Sequence, residues 1–549
     1  MASLHPNTSI LGTQNARHLL RRCSFVYTKP LVSQLALLNP SQALELLLQD
    51  NPLNLLFPYD PLPIESPDAF WTTSTALPTS FQDQNRKASI ISGWWWYNAI
   101  QSPTLKFKLC HFLATCFTVE KANGAGSATE FFDYLQLLLF YSYGSYKTLS
   151  KKMSVNNSML QYLNNTTNTK AAPNENYARE FFELFTIGKG APIGAGDYTN
   201  YTEADIVQAA RVLTGFRRQP DRSIIDSDTG IPRGANLFSS HQTSAKTFSS
   251  AFNNTIISPA SDAAGMDDEL NDFIEMIFEQ EATAKTICRK IYSYFVKSKI
   301  SEEVENDIIA PLASDLQANG YEIVPVLQKL LSSQHFYDLD DTNSNDETIG
   351  GIIKSPLQQL SEICSYLQAT LPDPTTNPND FYTVFWDTFA HNTFLKGANM
   401  ILFDPENVAG HPAYYQAPDF DKNWISASSL IARYRLGESL LDGKNRILGN
   451  DDILGKINIT EVIRNNTIVS VPEDPLILTT ELCNALFAQE ASIERINYFM
   501  NTFLLQGNPP VDWTSLWGYY IEANYNSVVN LRLNSLVTNL LKAPESQMF

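Results

Sequence analysis

Apolar residues recur at three- and four-residue spacing along most of this chain, and no long run alternates at period two. That pattern admits helices that bury one stripe and excludes a barrel, a sandwich or a βαβ array. Helical stretches are expected at 15–22, 41–48, 87–97, 104–117 and 129–143. Further ones follow at 206–216, 267–278, 282–296, 302–318, 324–333 and 356–367, where Pro356 suits a first turn. The series closes with 426–436, 479–488, 492–505 and 527–541. Residues 52–78 are rich in Pro, Ser and Thr and are expected to connect irregularly. Turn-rich residues 219–260 are expected to form a loop or a small β excursion, and 400–420 is the other place for short strands. The expected class is all-α: a large, irregular multi-helical array with long loops and at most minor β pieces.

With 549 residues, 44% of them hydrophobic, the chain is long enough for a large core. Its 39 basic and 58 acidic residues leave a net charge of −19, which argues against nucleic acid and anionic membrane surfaces as partners. Cys23, Cys110, Cys116, Cys288, Cys364 and Cys483 are dispersed, with no CxxC pair. Neither a disulfide framework nor a zinc site is therefore expected. No metal or other cofactor is expected, beyond a weakly held calcium or magnesium ion at surface carboxylates. No GxSxG elbow or P-loop occurs. The first residues lack the basic start and apolar core of a signal peptide, and no apolar run is long enough to span a bilayer. This reads as a cytoplasmic chain, or as a periplasmic or cell-envelope one if a signal was removed or supplied by a partner.

The densest concentration of chemistry is Asn174-Glu175-Asn176-Tyr177-Ala178-Arg179-Glu180-Phe181-Phe182-Glu183-Leu184-Phe185. Glu175, Arg179 and Glu183 follow i, i+4, i+8 spacing and would line up along one helix, beside an apolar stripe from Tyr177 to Phe185. Pro173 suits the start of that helix and Gly188 its end. Three readings are open: surface ion pairs, a buried network that fixes register, or carboxylates working on a ligand. Thr202 and Asp205 have capping-box spacing before the next helix. There Arg211 sits among apolar neighbours and calls for a carboxylate, with Glu180 or Glu183 nearest in sequence. His241 with Lys246 would bind an anion or complete a site with the 174–183 segment, unless the histidine is simply solvated. Of Trp94-Trp95-Trp96, at least one is expected in the core and another facing a groove. Tyr414-Tyr415, in a proline-flanked loop near His411, is a candidate exposed binding surface.

These landmarks carry a resemblance. Ala16 to Arg22, Pro173 to Gly188, Tyr201 to Asp205, Ala210 to Phe216, Ile353 to Pro356, Leu402 to Gly410 and Trp424 to Arg433 occur in the order of a large bacterial family. It is the family catalogued as domain of unknown function 1800. The resemblance covers roughly residues 15 to 435. It implies a helical family unit over 1–440, with 441–549 as a helical extension packed on the same unit. Two departures stand out. The family's Trp-His-x-His-Phe stretch corresponds here to Leu113 to Phe117, which places Ala114 and Cys116 at the histidine positions, with His111 one turn earlier. The family's Gly-Trp is Gly410-His411. A member lacking those histidines would have lost or rebuilt any metal or proton-transfer role they serve. Family members are often encoded beside a family resembling the alkaline phosphatase and sulfatase fold, which implies a protein partner. Two functions follow as expectations. One is a non-catalytic binding or assembly protein of the bacterial cell envelope acting with such a partner. The other is a hydrolase-type enzyme using a carboxylate, arginine and histidine cluster centred on 174–183, with Glu175, Glu180, Glu183 and His241 as catalytic candidates. Asn174, Asn176, Arg179, Arg211, Lys246, His411, Tyr414 and Tyr415 are the ligand-binding candidates.

Overall fold

The computed structural model describes residues 2–62, 71–73, 81–121, 124–341, 347–465, 467–523 and 527–549. Part of the connection expected at 52–78 lies outside them. The rest is predominantly helical. Among the described residues, strands amount to two antiparallel two-residue pairs, Phe216–Arg217 with Ala235–Asn236 and Lys246–Thr247 with Ile256–Ile257. Both touch the turn-rich region where a β excursion is expected. The 400–420 region holds a short helix, Pro412–Tyr415, instead of strands.

The core forms around Phe81–Gln101, a 21-residue helix covered on several sides. Trp94, Trp95 and Trp96 are all fully buried, so none faces a groove. Each points to a different neighbour and finds a partner for its indole N–H. These are the Leu55 carbonyl at 2.7 Å, Cys110 Sγ at 3.3 Å and Ser361 Oγ at 3.0 Å. Trp96 stacks on Trp386 at 5.2 Å between centroids. Gly93 permits this approach, because a Cβ there would lie 2.8 Å from the Trp386 ring.

Trp386 belongs to Asp380–Leu395, a π-helix of 16 residues, which the sequence pattern did not reveal. Thr388, Asn392 and Thr393 each donate a side-chain hydrogen bond to the carbonyl five residues earlier, in step with the wider turn. Long π segments are rare, and short π-bulges often occur at functional sites.

Charges cross-link the chain's extremes. Arg21, from the Gly12–Cys23 helix, donates to Glu362 Oε1 at 3.0 Å and to the Phe487 carbonyl at 2.8 Å. Lys354 reaches the same carboxylate at 2.9 Å, and Arg433 bonds Gln547 Oε1 at 2.9 Å. These side chains are buried. Arg222 and Asp133 form a second buried pair with two bonds of 2.7 Å. No helix among the described residues is long and apolar enough to cross a membrane.

Candidate functional site

The 174–185 segment begins as expected and then changes pitch. Asn174 Oδ1 accepts the Asn176 N–H at 3.0 Å, and Asn176 Nδ2 donates to the Leu163 carbonyl at 3.2 Å. Both amides thus brace the helix start. Residues Asn176–Glu180 are α-helical, but Phe181–Phe185 form a π turn. The turn lets Phe181, Phe182 and Phe185 all reach the core. It also rotates Glu183 off the line of Glu175 and Arg179, so the i+8 alignment breaks. Glu183 pairs with Lys189 instead.

Arg179 pairs with Glu175 at 3.2 Å, and its Nη1 bonds Glu203 Oε2 at 2.9 Å. All three side chains are a third or more exposed, so this part of the segment matches the surface-pair reading and not the buried network. Such solvated pairs contribute about 0.2–1 kcal/mol each. Glu180, half-buried, has its carboxyl pushed up by desolvation and by the charge of Glu183.

Arg211 is a correction. It lies on the outward side of the Glu203–Val212 helix and bonds Gln208 and Ser244, reaching neither Glu180 nor Glu183. The inward face is filled by Ile206, Ala209, Ala210 and Val212. His241 and Lys246 do come together, on a partner that sequence spacing did not supply. His241 Nε2 lies 3.0 Å from Glu269 Oε2, and Lys246 pairs with Oε1 of the same carboxylate. The three side chains are at most 2% exposed. Thr214 and Ala260 complete the network through their carbonyl and N–H groups, at 2.7 Å each. Burial lowers the Lys246 amine, against the pull of Glu269.

Several family landmarks meet at a cleft of about 110 Å³. The Lys106–Cys116 helix contributes Phe112, Thr115 and Cys116, and the π turn contributes Glu183 and Leu184. Lys290 and Tyr294 come from Glu281–Phe295. Val408, Ala409, Tyr414 and Tyr415 close the opposite side. Lys290 donates to the Leu184 carbonyl, where the π turn ends. The Tyr294 hydroxyl bonds His111 Nδ1 at 2.8 Å, and the Tyr294 ring stacks on Tyr414 at 5.8 Å. His111 is buried and pushed down to about 3 by desolvation; His411, half-buried, is pushed down to about 4 by the same cause. Both are neutral imidazoles near pH 7. His411 Nε2 donates to the Ile401 carbonyl at 3.1 Å and its ring packs on Trp424. The rim is open: Tyr415 is 41% exposed.

The profile of a family described as protein of unknown function, DUF1800, matches residues 18–548. The chain belongs to this family. No curated protein and no solved structure matches it.

Cys116, which the resemblance aligns with a family histidine, lines the cleft, while Ala114 lies outside its lining. Burial raises the Cys116 thiol despite the nearby Lys290. Among the described residues, no three His, Cys, Asp or Glu side chains form a group able to hold a metal ion. Of the candidates taken from the sequence, Glu183, Tyr414 and Tyr415 line the cleft. Glu175, Arg179, Arg211, His241 and Lys246 are engaged elsewhere, and Asn174 and Asn176 brace a turn. Lys290 and Tyr294 carry no signal in the sequence, because their helix shows only ordinary amphipathic spacing.

Proposed function

We propose that this protein is a non-catalytic binding or assembly protein of the bacterial cell envelope, and that the cleft beside the π turn is its recognition surface. The partner proposed is a protein of phosphatase or sulfatase-like fold. The observation that carries the reading is the composition of the cleft. Aromatic walls, one ammonium and one carboxylate converge there, in a space far below the roughly 300–1,000 Å³ of small-molecule sites. A space of this size suits an inserted side chain of a partner. Glu175, Arg179, Asn174, Asn176, His241 and Lys246 are held in ion pairs, turns and a buried triad, where they serve the fold.

One observation favours the hydrolase-type alternative. Glu180 and Glu183 are three residues apart in different environments, one raised by burial and the other ion-paired. Such a split is how paired carboxylates divide acid and base roles.

Co-expression with the phosphatase-like protein encoded beside family members tests the first reading by size-exclusion chromatography with light scattering. A stable complex that forms equally well with the Glu180→Gln variant, whose altered residue lies outside the cleft lining, is expected. Absence of any complex contradicts it.

A further inference from the structure

The cleft beside the π turn is lined by two charges of opposite sign, and they are not equally occupied. Glu183 pairs with Lys189, whose ammonium also lies 5.5 Å from the centre of the Tyr198 ring. The charge of Glu183 is therefore matched at the edge of the cleft. Lys290, half-buried on the facing helix, has no such match. Among the described residues it forms no ion pair, and its hydrogen bond goes to the neutral Leu184 carbonyl. An ammonium carries three N–H donors, so two remain for a group that enters the cleft.

A second donor stands beside it. Ser293 follows Lys290 at i+3 on Glu281–Phe295, which puts both on one face of the helix, and both line the cleft. The Ser293 hydroxyl bonds no group among the described residues. The Lys290 charge also acts on the cleft lining: burial raises the Cys116 thiol, and the Lys290 ammonium opposes that rise. The walls around these donors are apolar or aromatic, with Phe112, Leu184, Val408, Ala409 and Tyr414.

The charge balance selects what can sit there. Glu180, one turn before Glu183, lies outside the lining, so a matched pair and one unmatched ammonium remain. A cationic side chain would meet Lys290 and compete with Lys189 for Glu183. A neutral apolar one would desolvate the ammonium and leave its donors unpaired, which is costly. A carboxylate supplies both the counter-charge and the acceptors. The net charge of −19 does not oppose this, because exposed charges beyond about 8 Å are largely screened at physiological salt.

Resting on the recognition reading above, we propose that the partner residue seated in the cleft is an aspartate or a glutamate. Its carboxylate bonds Lys290 and Ser293, and its methylene stem packs on Val408 and Tyr414.

Titration calorimetry of the full chain with the proposed phosphatase-like partner tests this. Lys290→Gln removes the charge but keeps a donor for the Leu184 carbonyl. It should raise Kd at least about tenfold and flatten the dependence of Kd on salt. Lys290→Arg should bind nearly as the wild type does, and Ser293→Ala should raise Kd about threefold. Replacing the partner's exposed Asp and Glu residues one at a time by Asn or Gln should uncover one whose loss is not additive with that of Lys290→Gln. If Lys290→Gln does not fold, the same cycle run with Ser293→Ala decides. Full-strength binding by Lys290→Gln, with Tyr415→Glu weakened, would keep the cleft as the interface and overturn the acidic residue. Strict additivity at every partner carboxylate would overturn it as well. A complex indifferent to Tyr415→Glu, or no complex, would remove the recognition reading itself and the acidic residue with it.

Discussion

Arg211 and Glu269 show how differently a charge can be held in the same neighbourhood. Arg211 is half-exposed and bonds only neutral groups. Arg211→Ala should therefore move the unfolding free energy by no more than about 0.5 kcal/mol. Glu269 is enclosed and serves His241, Lys246 and a backbone N–H together. Glu269→Gln leaves a buried ammonium without its carboxylate and should cost about 3–5 kcal/mol. Urea denaturation of both variants checks the pair; equal losses would contradict the assignment of exposure and burial. Spacing in the sequence pointed to Arg211 as the buried charge, because its immediate neighbours are apolar. It could not show which side of the helix those neighbours face, or that Glu269, 28 residues beyond His241, would fold back onto it.

At the scale of the element, the π turn decides what the central motif can do. A uniform α-helix would have kept Glu175, Arg179 and Glu183 in one line. The wider turn places three phenylalanines in the core and brings Glu183 to the cleft wall. Thr186 stabilises it by donating to the Phe181 carbonyl at 2.6 Å. Gly188 ends it at φ 71°, with its N–H on the Phe182 carbonyl at 2.8 Å. A Cβ there would sit 3.2 Å from Thr286 Oγ1 in a backbone region that disfavours side chains. Gly188→Ala should cost about 1–2 kcal/mol, read as a lower Tm, with the circular dichroism of the native state unchanged. A variant as stable as its parent would mean that this end of the motif is not constrained. Helix existence was legible from apolar periodicity, and the Thr202 capping box was legible from spacing. The pitch of the π segments was not, because α and π turns differ by one residue and use the same apolar residue types.

For the whole molecule, buried neutral histidines set a common acid limit. Desolvation pushes His111 and His411 down to about 3 and about 4, and holds His18 and His391 well below the usual range. Below pH ~6.5 the unfolded chain takes up protons that the folded chain refuses. Stability should then fall by about 1.4 kcal/mol per pH unit for each such histidine, until the folded value is reached. Urea midpoints between pH 7 and 4.5 should drop steeply, and His411→Asn should make the fall shallower. A flat profile would contradict the burial of these rings. The predominantly helical class and the family were legible from the sequence alone, since both rest on periodicity and ordered motifs. The cleft was not, because it is assembled from 112, 183, 290 and 408–415, positions related only by the packing of separate helices.

The central claim is that the cleft beside the π turn is a recognition surface for a protein partner. Titration calorimetry with the proposed phosphatase-like partner tests it most directly, comparing the wild type, Tyr415→Glu at the rim, and Leu37→Glu, which alters a side chain 77% exposed outside the cleft lining. A rim residue that anchors an interface should cost at least about 1.4 kcal/mol, a tenfold rise in Kd, while Leu37→Glu should leave Kd unchanged. Binding that survives Tyr415→Glu at full strength, or that is lost equally with Leu37→Glu, would contradict the account.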